Sequence, residues 1–494
     1  MNLIFFTIPF MLAFVFSLLA KKEKTVQLSS LFLSFLGGVI LISYAMPFVF
    51  HLREKMVDAW WALDSFSALM VILIAVVYVF SLIASVRYIG HEYAEKIISF
   101  SQYKMYFALF QLFALCMILV VLTNNSLILW LSLEGTTLFS TFLVGLYRKN
   151  KTSIEAAWKY MILCSTGISL GLVGILLFSY GAHVGGVAED NIFLLNQLAQ
   201  GAHLIPENVV KLAFIFLFIG FGTKVGLAPM HTWLPDAHSK APSPISAIFS
   251  AVLLNVALYA ILRFKFIADS AFLDSNWTNH LFLTFGFISI LLAAFMMLVQ
   301  SNYKRMLAYS SVEHMGIILF SLGLSPLGAV AGVMHMIGHT FTKSALFFGA
   351  GEILIKWKTT KVAKIKNMFK YSRYTSILFI FGIVAIIAIP PSALFVSEYG
   401  MFTQAILLHP IVAISIFVAF GIIAYAMLAL TIEMVFSTKD DDKTKTEMAK
   451  DYWNVTHTII AIELLAILFL AFWFTTGNAF SVISNITKTF LYGK

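Results

Sequence analysis

The sequence predicts an all-α polytopic membrane protein of about fourteen transmembrane helices. Three observations carry that expectation. The 494 residues are 60% hydrophobic, with a mean hydropathy of +0.90. Charged side chains make up only 12%, where a soluble domain carries about 25%, so a water-soluble enzyme would lack the polar groups to cover its surface. Apolar runs also recur along the whole chain at the roughly 20 residues that a bilayer core of about 30 Å demands.

Broken at charged or Pro/Gly-rich stretches, the runs lie near 2–20, 27–50, 62–86, 104–122, 124–146, 156–180, 208–228, 241–263, 279–299, 306–323, 327–355, 374–408, 411–436 and 453–476. The first precedes Lys21, Lys22 and Lys24, lacks a basic leader and a small-residue cleavage site, and reads as a helix that stays. Basic residues test the rest. With the N-terminus outside, the cytoplasmic loops hold 23 of the 33 Lys and Arg, among them Lys304 and Arg305, seven from Lys356 to Arg373, and four from Lys439 to Lys450. The opposite loops hold five: Arg53, Lys55, Lys211, Arg263 and Lys265. This asymmetry follows the positive-inside rule and asks for an even number of spans with both termini outside. The formal charge of +9 is then topological, and no nucleic-acid partner is expected; the basic segment 356–373 reads as a lipid-facing connection.

The organisation reads as one membrane domain, 1–494. Two interruptions suggest internal repeats. Gly220, Gly222, Gly226, Pro229 and Pro235 crowd one run, and Pro229 should break its helix. Pro390 and Pro391 interrupt another. Each lies in the fourth run of a set of five, giving five-helix repeats at 104–263 and 279–436, with 1–103 and 437–494 as peripheral helices. Five is odd, so the second repeat is expected to be inverted.

The informative charges are those inside apolar runs: Lys159, Lys224 and Lys343, with Glu134, Glu398 and Glu463, and with Glu313, Glu352 and Glu433 nearer the run ends. A charge at the centre of a membrane helix costs at least about 2.5–3.5 kcal/mol. Such groups should face the protein interior and mark an ion pathway. Glu134 is flanked by Gly135, Thr136 and Thr137, which either bond a working carboxylate or let a locking one join two helices. Lys224 stands at the first break, as do residues of midplane ion sites in transporters. Burial and an approaching Glu134 would act on it in opposite senses, making it a switchable proton carrier.

His335, His339 and Lys343 follow an i, i+4, i+8 spacing that drifts only about 40° per step, so they share a helix face and can relay protons. Packing is the plainer alternative. The two histidines could also bind metal, but the third ligand would have to come from elsewhere, and no metal is expected. Lys159 is near enough to a helix end to snorkel. The role of Glu463, against a partner subunit or a neighbouring helix, stays open. Cys116 and Cys164 support neither a disulfide framework nor an iron–sulfur cluster, and no phosphate-cradling loop appears.

The stretch Lys224-Val-Gly-Leu-Ala-Pro-Met-His-Thr-Trp-Leu-Pro-Asp236-Ala-His238-Ser-Lys-Ala-Pro242-Ser-Pro244 resembles the signature of the antiporter-like, proton-translocating subunits of respiratory complex I, membrane-bound hydrogenases, formate hydrogenlyase and Mrp-type Na⁺/H⁺ antiporters. The resemblance spans roughly 64–436, continuing through Lys304-Arg305-Met-Leu-Ala-Tyr-Ser-Ser and the His335/His339/Lys343 row. Trp130-Leu-Ser-Leu-Glu134-Gly-Thr-Thr-Leu and Ser153-Ile-Glu-Ala-Ala-Trp-Lys159 look most like the hydrogenase-4 component F group. The resemblance implies an input pair of Glu134 and Lys224, a central Lys343 and an exit at Glu398. It departs at Asn255 and Ser250, where some branches carry Lys and His, shifting weight onto Lys343 and the histidines.

It further implies a multi-pass subunit of the bacterial inner membrane, part of an oxidoreductase complex of hydrogenase-4, formate hydrogenlyase or NADH:quinone type. Its partners would be other membrane subunits, lipids and, indirectly, hydrophilic redox subunits. It would carry no cofactor and move protons, with Na⁺ the second candidate ion. The alternatives are an Mrp-type Na⁺/H⁺ antiporter subunit and a passive scaffold.

Overall fold

Short polar side chains set where the helices begin. In the computed structural model, which describes residues 6–272, 276–437 and 452–491, Asp64, Asn125, Asn150, Asn302, Ser325, Ser392 and Asn454 each accept a backbone N–H of the turn that follows. Ser99 and Gln102 form a reciprocal capping box. Such caps satisfy donors that a helix start leaves open, which matters most where lipid offers no water.

The helices run α1 (Ile8–Leu19), α2 (Glu23–Val49), α3 (Ser65–Ala94), α4 (Phe100–Leu122), α5 (Ser126–Val144), α6 (Lys151–Val184), α7 (Leu195–Gln200), α8 (Glu207–Val225), α9 (Trp233–Lys240) and α10 (Ser243–Ile248). They continue with α11 (Leu254–Ala271), α12 (Asn276–Leu298), α13 (Tyr303–Leu324), α14 (Pro326–Trp357), α15 (Met368–Tyr371), α16 (Arg373–Ile386), α17 (Ala393–Leu408), α18 (Pro410–Phe436), α19 (Val455–Phe474) and α20 (Gly477–Leu491). A two-stranded hairpin, β1 (Met56–Val57) and β2 (Ala62–Leu63), joins α2 to α3. The chain is an all-α polytopic membrane protein.

Eleven helical stretches among the described residues are long and apolar enough to cross a membrane. The remaining predicted runs fall on α1, α14 and the α16–α17 pair. The first and the last pair are short; α14 has the length but carries His335, His339, Lys343 and Glu352. A C-terminal helix, α20, follows the last predicted run. Its buried Ala479, Ile483 and Ile486 follow an amphipathic i, i+4, i+7 spacing.

Two helix pairs approach backbone to backbone. A Cβ at Gly220 would sit 2.4 Å from Gly171 N and 2.6 Å from Gly167 O, which holds α8 against α6. A Cβ at Gly286 would sit 2.7 Å from Phe320 N, which does the same for α12 and α13. Small residues permit such contact where lipid supplies no drive for helices to associate.

Both expected breaks are present. The first starts earlier than Pro229: α8 ends at Gly226, whose φ of +81° caps it in the left-handed region, and a 3-10 turn (Met230–Thr232) leads into α9. The second spans residues 387–392 between α16 and α17. Between them a wide π turn, Phe249–Leu253, joins α10 to α11.

Several charges depart from their expected places. Lys304 is not a loop residue: it is buried in the first turn of α13, with Nζ donating to Ala241 O at 2.7 Å. Arg87 lies in α3, paired with Glu352 of α14 at 2.9 Å. Arg263 and Lys265 lie in α11, paired with Asp64 and Asp269 at 2.6 and 2.5 Å. Lys439, Lys443, Lys445, Lys450 and Lys494 lie outside the described residues. A cavity of about 520 Å³ opens between the β1–β2 hairpin, the segment around Asn196 and the end of α11; none of the predicted site residues lines it.

Candidate functional site

At the first break, α8 presents Lys224 from its last turn, fully buried. Its Nζ donates to Thr137 Oγ1 of α5 (2.8 Å) and to Tyr160 OH of α6 (2.6 Å), and lies 4.7 Å from the Tyr160 ring centre. The Tyr160 and Ser140 hydroxyls are 2.7 Å apart, and Trp233 packs on the Tyr160 ring at 4.8 Å. Dipoles and a ring face thus surround the ammonium.

Glu134 stands one turn before Thr137 on α5, but it does not touch the lysine. Ser165 Oγ donates to Glu134 Oε1 at 2.6 Å, while the buried Oε2 has no partner. Among the described residues the two form no ion pair. The expected input pair is therefore two neighbouring groups joined by a helix turn.

Lys159 corrects an expectation. It projects outward from α6, half exposed, pairing with Glu155 at 2.6 Å and with Asp236 of α9 at 3.6 Å. Tyr160, the next residue, takes the inward direction, since successive positions on a helix point about 100° apart. Asp236 also pairs with Arg305 of α13.

The row on α14 is buried throughout: His335 is 1% exposed, and His339 and Lys343 0%. Lys343 Nζ donates to Leu307 O of α13 at 2.8 Å. The structure adds a residue that spacing along α14 could not reveal, His314 of α13. Its Nδ1 lies 2.9 Å from His335 Nε2, and its ring centre 5.3 Å from that of His339. His335 Nδ1 is 3.0 Å from Ser397 Oγ of α17, beside half-buried Glu398. His314, His335 and Glu398 each bring one potential ligand atom within 4.8 Å of the others. The carboxylate that α14 does not place beside its histidines comes from α17, so among the described residues this trio, and not the His335/His339 pair, is the group that could hold a metal.

Glu313 also moves inward relative to the sequence reading. It lies mid-helix on α13, 4% exposed, with Oε2 unpartnered. His238, within the α9 segment of the sequence motif, is fully buried with both ring nitrogens unpartnered and stacks on Phe347 at 4.9 Å. A local signal for these residues existed in Glu313-His314 beside Ser310 and Ser311, an unusually polar cluster for an apolar helix. Asn255 Nδ2 donates to Ala251 O (2.9 Å) and Thr340 Oγ1 (3.2 Å), and the Ser250 and Ser311 hydroxyls are 2.7 Å apart. Pro229, Pro390 and Pro391 are exposed at their breaks.

Residues 123–424 match the family described as NADH:quinone oxidoreductase/Mrp antiporter, transmembrane. The Hydrogenase-4 component F homolog of Methylacidiphilum infernorum (isolate V4) is 35% identical over 436 residues, 86% of this chain and 87% of that protein. Hydrogenase-4 component B of Escherichia coli (strain K12) is 31% identical over 80% of this chain, which spans 57% of that relative. Two solved structures share the fold. One is the membrane-bound sulfane sulfur reductase, an archaeal respiratory membrane complex, with a TM-score of 0.86 at 22% identity over 99% of this chain and 97% of that one. The other is the Mrp complex from Dietzia sp. DQ12-45-1b, with a TM-score of 0.82 at 18% identity over 100% and 98%. These relatives belong to multi-subunit membrane complexes. With a buried line of lysines, histidines and carboxylates inside an apolar helical bundle, this chain belongs to the NADH:quinone oxidoreductase/Mrp antiporter transmembrane family.

Proposed function

We propose that the chain is the proton-translocating membrane subunit of a hydrogenase-4-like redox assembly, embedded in a bacterial inner membrane with both termini outside. Partner subunits carry the redox chemistry, and this chain converts it into proton movement. The observation that supports this most is the set of buried ionisable groups with unpartnered polar atoms: Glu134, His238, His339 and Glu313. Groups left unsatisfied in an apolar interior are costly unless they exchange protons or bind water.

In this reading Glu134 and Lys224 receive the proton. The hydroxyls of Thr137, Tyr160 and Ser140 can rotate, so the ammonium can be held or released without moving a helix. Glu313, Lys343, His339, His314 and His335 pass the proton on, and Ser397 and Glu398 deliver it at the second break. The segments 104–263 and 279–436 act as inverted repeats, each contributing one broken helix. Lys159, exposed and paired with Glu155, stands outside the path.

The test is the whole assembly in proteoliposomes, driven by its electron donor. Lys224→Ala and Glu398→Gln should abolish internal acidification while electron transfer persists; undiminished pumping in either variant would refute the path. The lone chain should show no robust Na⁺/H⁺ exchange, whereas exchange by it would favour a self-sufficient antiporter.

A further inference from the structure

Glu463 has no place in that path, yet it lies mid-span on α19 with 0% exposure. It faces α14, where Ser344 Oγ donates to its Oε1 at 2.6 Å. Among the described residues its buried Oε2 has no partner. Of the ionisable side chains on helices packed against α19, Glu352 of α14 is paired with Arg87 of α3, His335, His339 and Lys343 line α14, Glu398 lies on α17, and His91, Glu92, Arg373 and Lys488 stand near the ends of α3, α16 and α20; none of these bonds Glu463 among the described residues.

From Ser344 a polar string runs back along α14. Ser344 Oγ lies 2.9 Å from Thr340 O, and Thr340 Oγ1, which accepts from Asn255 Nδ2 at 3.2 Å, can give its one proton to Met336 O at 2.8 Å or to Ala251 O at 3.0 Å. Ala251 sits in the π turn of Phe249–Leu253, next to Ser250. On the other flank of that turn Ser250 meets Ser311, and Ser311 Oγ donates to Leu307 O at 3.1 Å, the carbonyl that also accepts Lys343 Nζ. Lys343 and Glu463 therefore flank one cluster of hydroxyls and backbone carbonyls around the π turn, in which the carbonyls of Leu307, Ala251 and Thr340 only accept.

We propose that Glu463 is a further proton-binding site, a side branch of the central Lys343 that takes up and releases a proton in each cycle. The inference rests on the translocation reading above. The neutral carboxyl donates its O–H to Ser344 Oγ, and Ser344 then donates to Thr340 O. The ionised carboxylate accepts from Ser344 instead. The proton that Glu463 takes up is the one the Lys343 ammonium loses, leaving a neutral amine and a neutral carboxyl, and it returns to the amine on release; the two states at Glu463 otherwise differ by one hydroxyl rotation at Ser344, with no helix displaced.

A carboxyl that merely locks α19 to α14 would be replaced faithfully by an amide, which keeps the bond to Ser344 but cannot exchange a proton. The test is Glu463→Gln in the intact assembly, read by turnover-difference infrared spectroscopy and by the protons pumped per electron. The expected result is loss of one protonated-carboxyl band and a lowered proton-to-electron ratio. Spectra identical to the parent, or an unchanged ratio, would overturn the proposal and leave a locking acid. Ser344→Ala, which retains the acid, should shift the same band; an unshifted band also overturns it. Lys224→Ala separates the two readings. If that variant stops pumping while Glu463→Gln changes nothing, only the branch fails. If Lys224→Ala pumps normally, the translocation path itself is wrong.

Discussion

The two buried lysines are housed in different materials. Lys224 is surrounded by neutral groups, the Thr137 and Tyr160 hydroxyls and an aromatic face, with Glu134 one turn of α5 before Thr137. Lys343 bonds a backbone carbonyl and stands in a row whose neighbours, His339, His314, His335 and Glu398, can each carry a proton. The breaks differ likewise. At the first, Gly226–Ala228 are buried and Pro229 is exposed, whereas at the second Ile389–Pro391 are all exposed. In the proposed path the first region would hold a charge by reorienting dipoles, and the second would hand it along.

Replacing Lys224 by Ala tests the contrast most severely. It removes the ammonium that the cradle holds, and proton translocation should vanish in a proteoliposome acidification assay. In the second region the load is shared. His314→Ala should slow translocation on the order of a hundredfold, the lower range for a positioned proton-transfer group, without stopping it. Equal losses in both variants would erase the distinction.

Packing supports each site separately. Gly220→Ala pushes a methyl into the backbone of α6 and should destabilise the protein by about 1–3 kcal/mol, read as a lowered melting temperature in detergent. Gly421→Ala, with nothing within 4 Å of its added Cβ, should melt like the parent. Thr137→Val is the finest probe. Losing one hydrogen bond to a buried charge costs about 1.5 kcal/mol, so pumping should slow about tenfold while Tyr160 still holds the lysine. A rate unchanged by Thr137→Val would show that the hydroxyls do not tune Lys224.

Some of this was legible in one dimension. The His335/His339/Lys343 face follows from helix periodicity, and the breaks follow from Gly226, Pro229, Pro390 and Pro391, because backbone preference is a local property. Lys159 shows the limit. Its run is apolar, yet it points outward because Tyr160 beside it points in, and only the angular position of α6 in the bundle decides between them. Glu313 and His314 likewise carried no sign of which helix they would meet.

By itself, then, the sequence determined the solvent in which this protein folds, the order of eleven apolar helices long enough to span it, the two interruptions and the charges that lipid should forbid. Those are consequences of hydropathy, helix length and side-chain spacing, all read along the chain. The tertiary structure alone decided that Glu134 bonds Ser165 and not Lys224, that His314 joins His335, and that Glu463 turns towards Ser344. Each joins helices from 21 to 119 positions apart in the chain, and which side chains meet at that range depends on how closely small residues such as Gly220 and Gly316 let the helices pack.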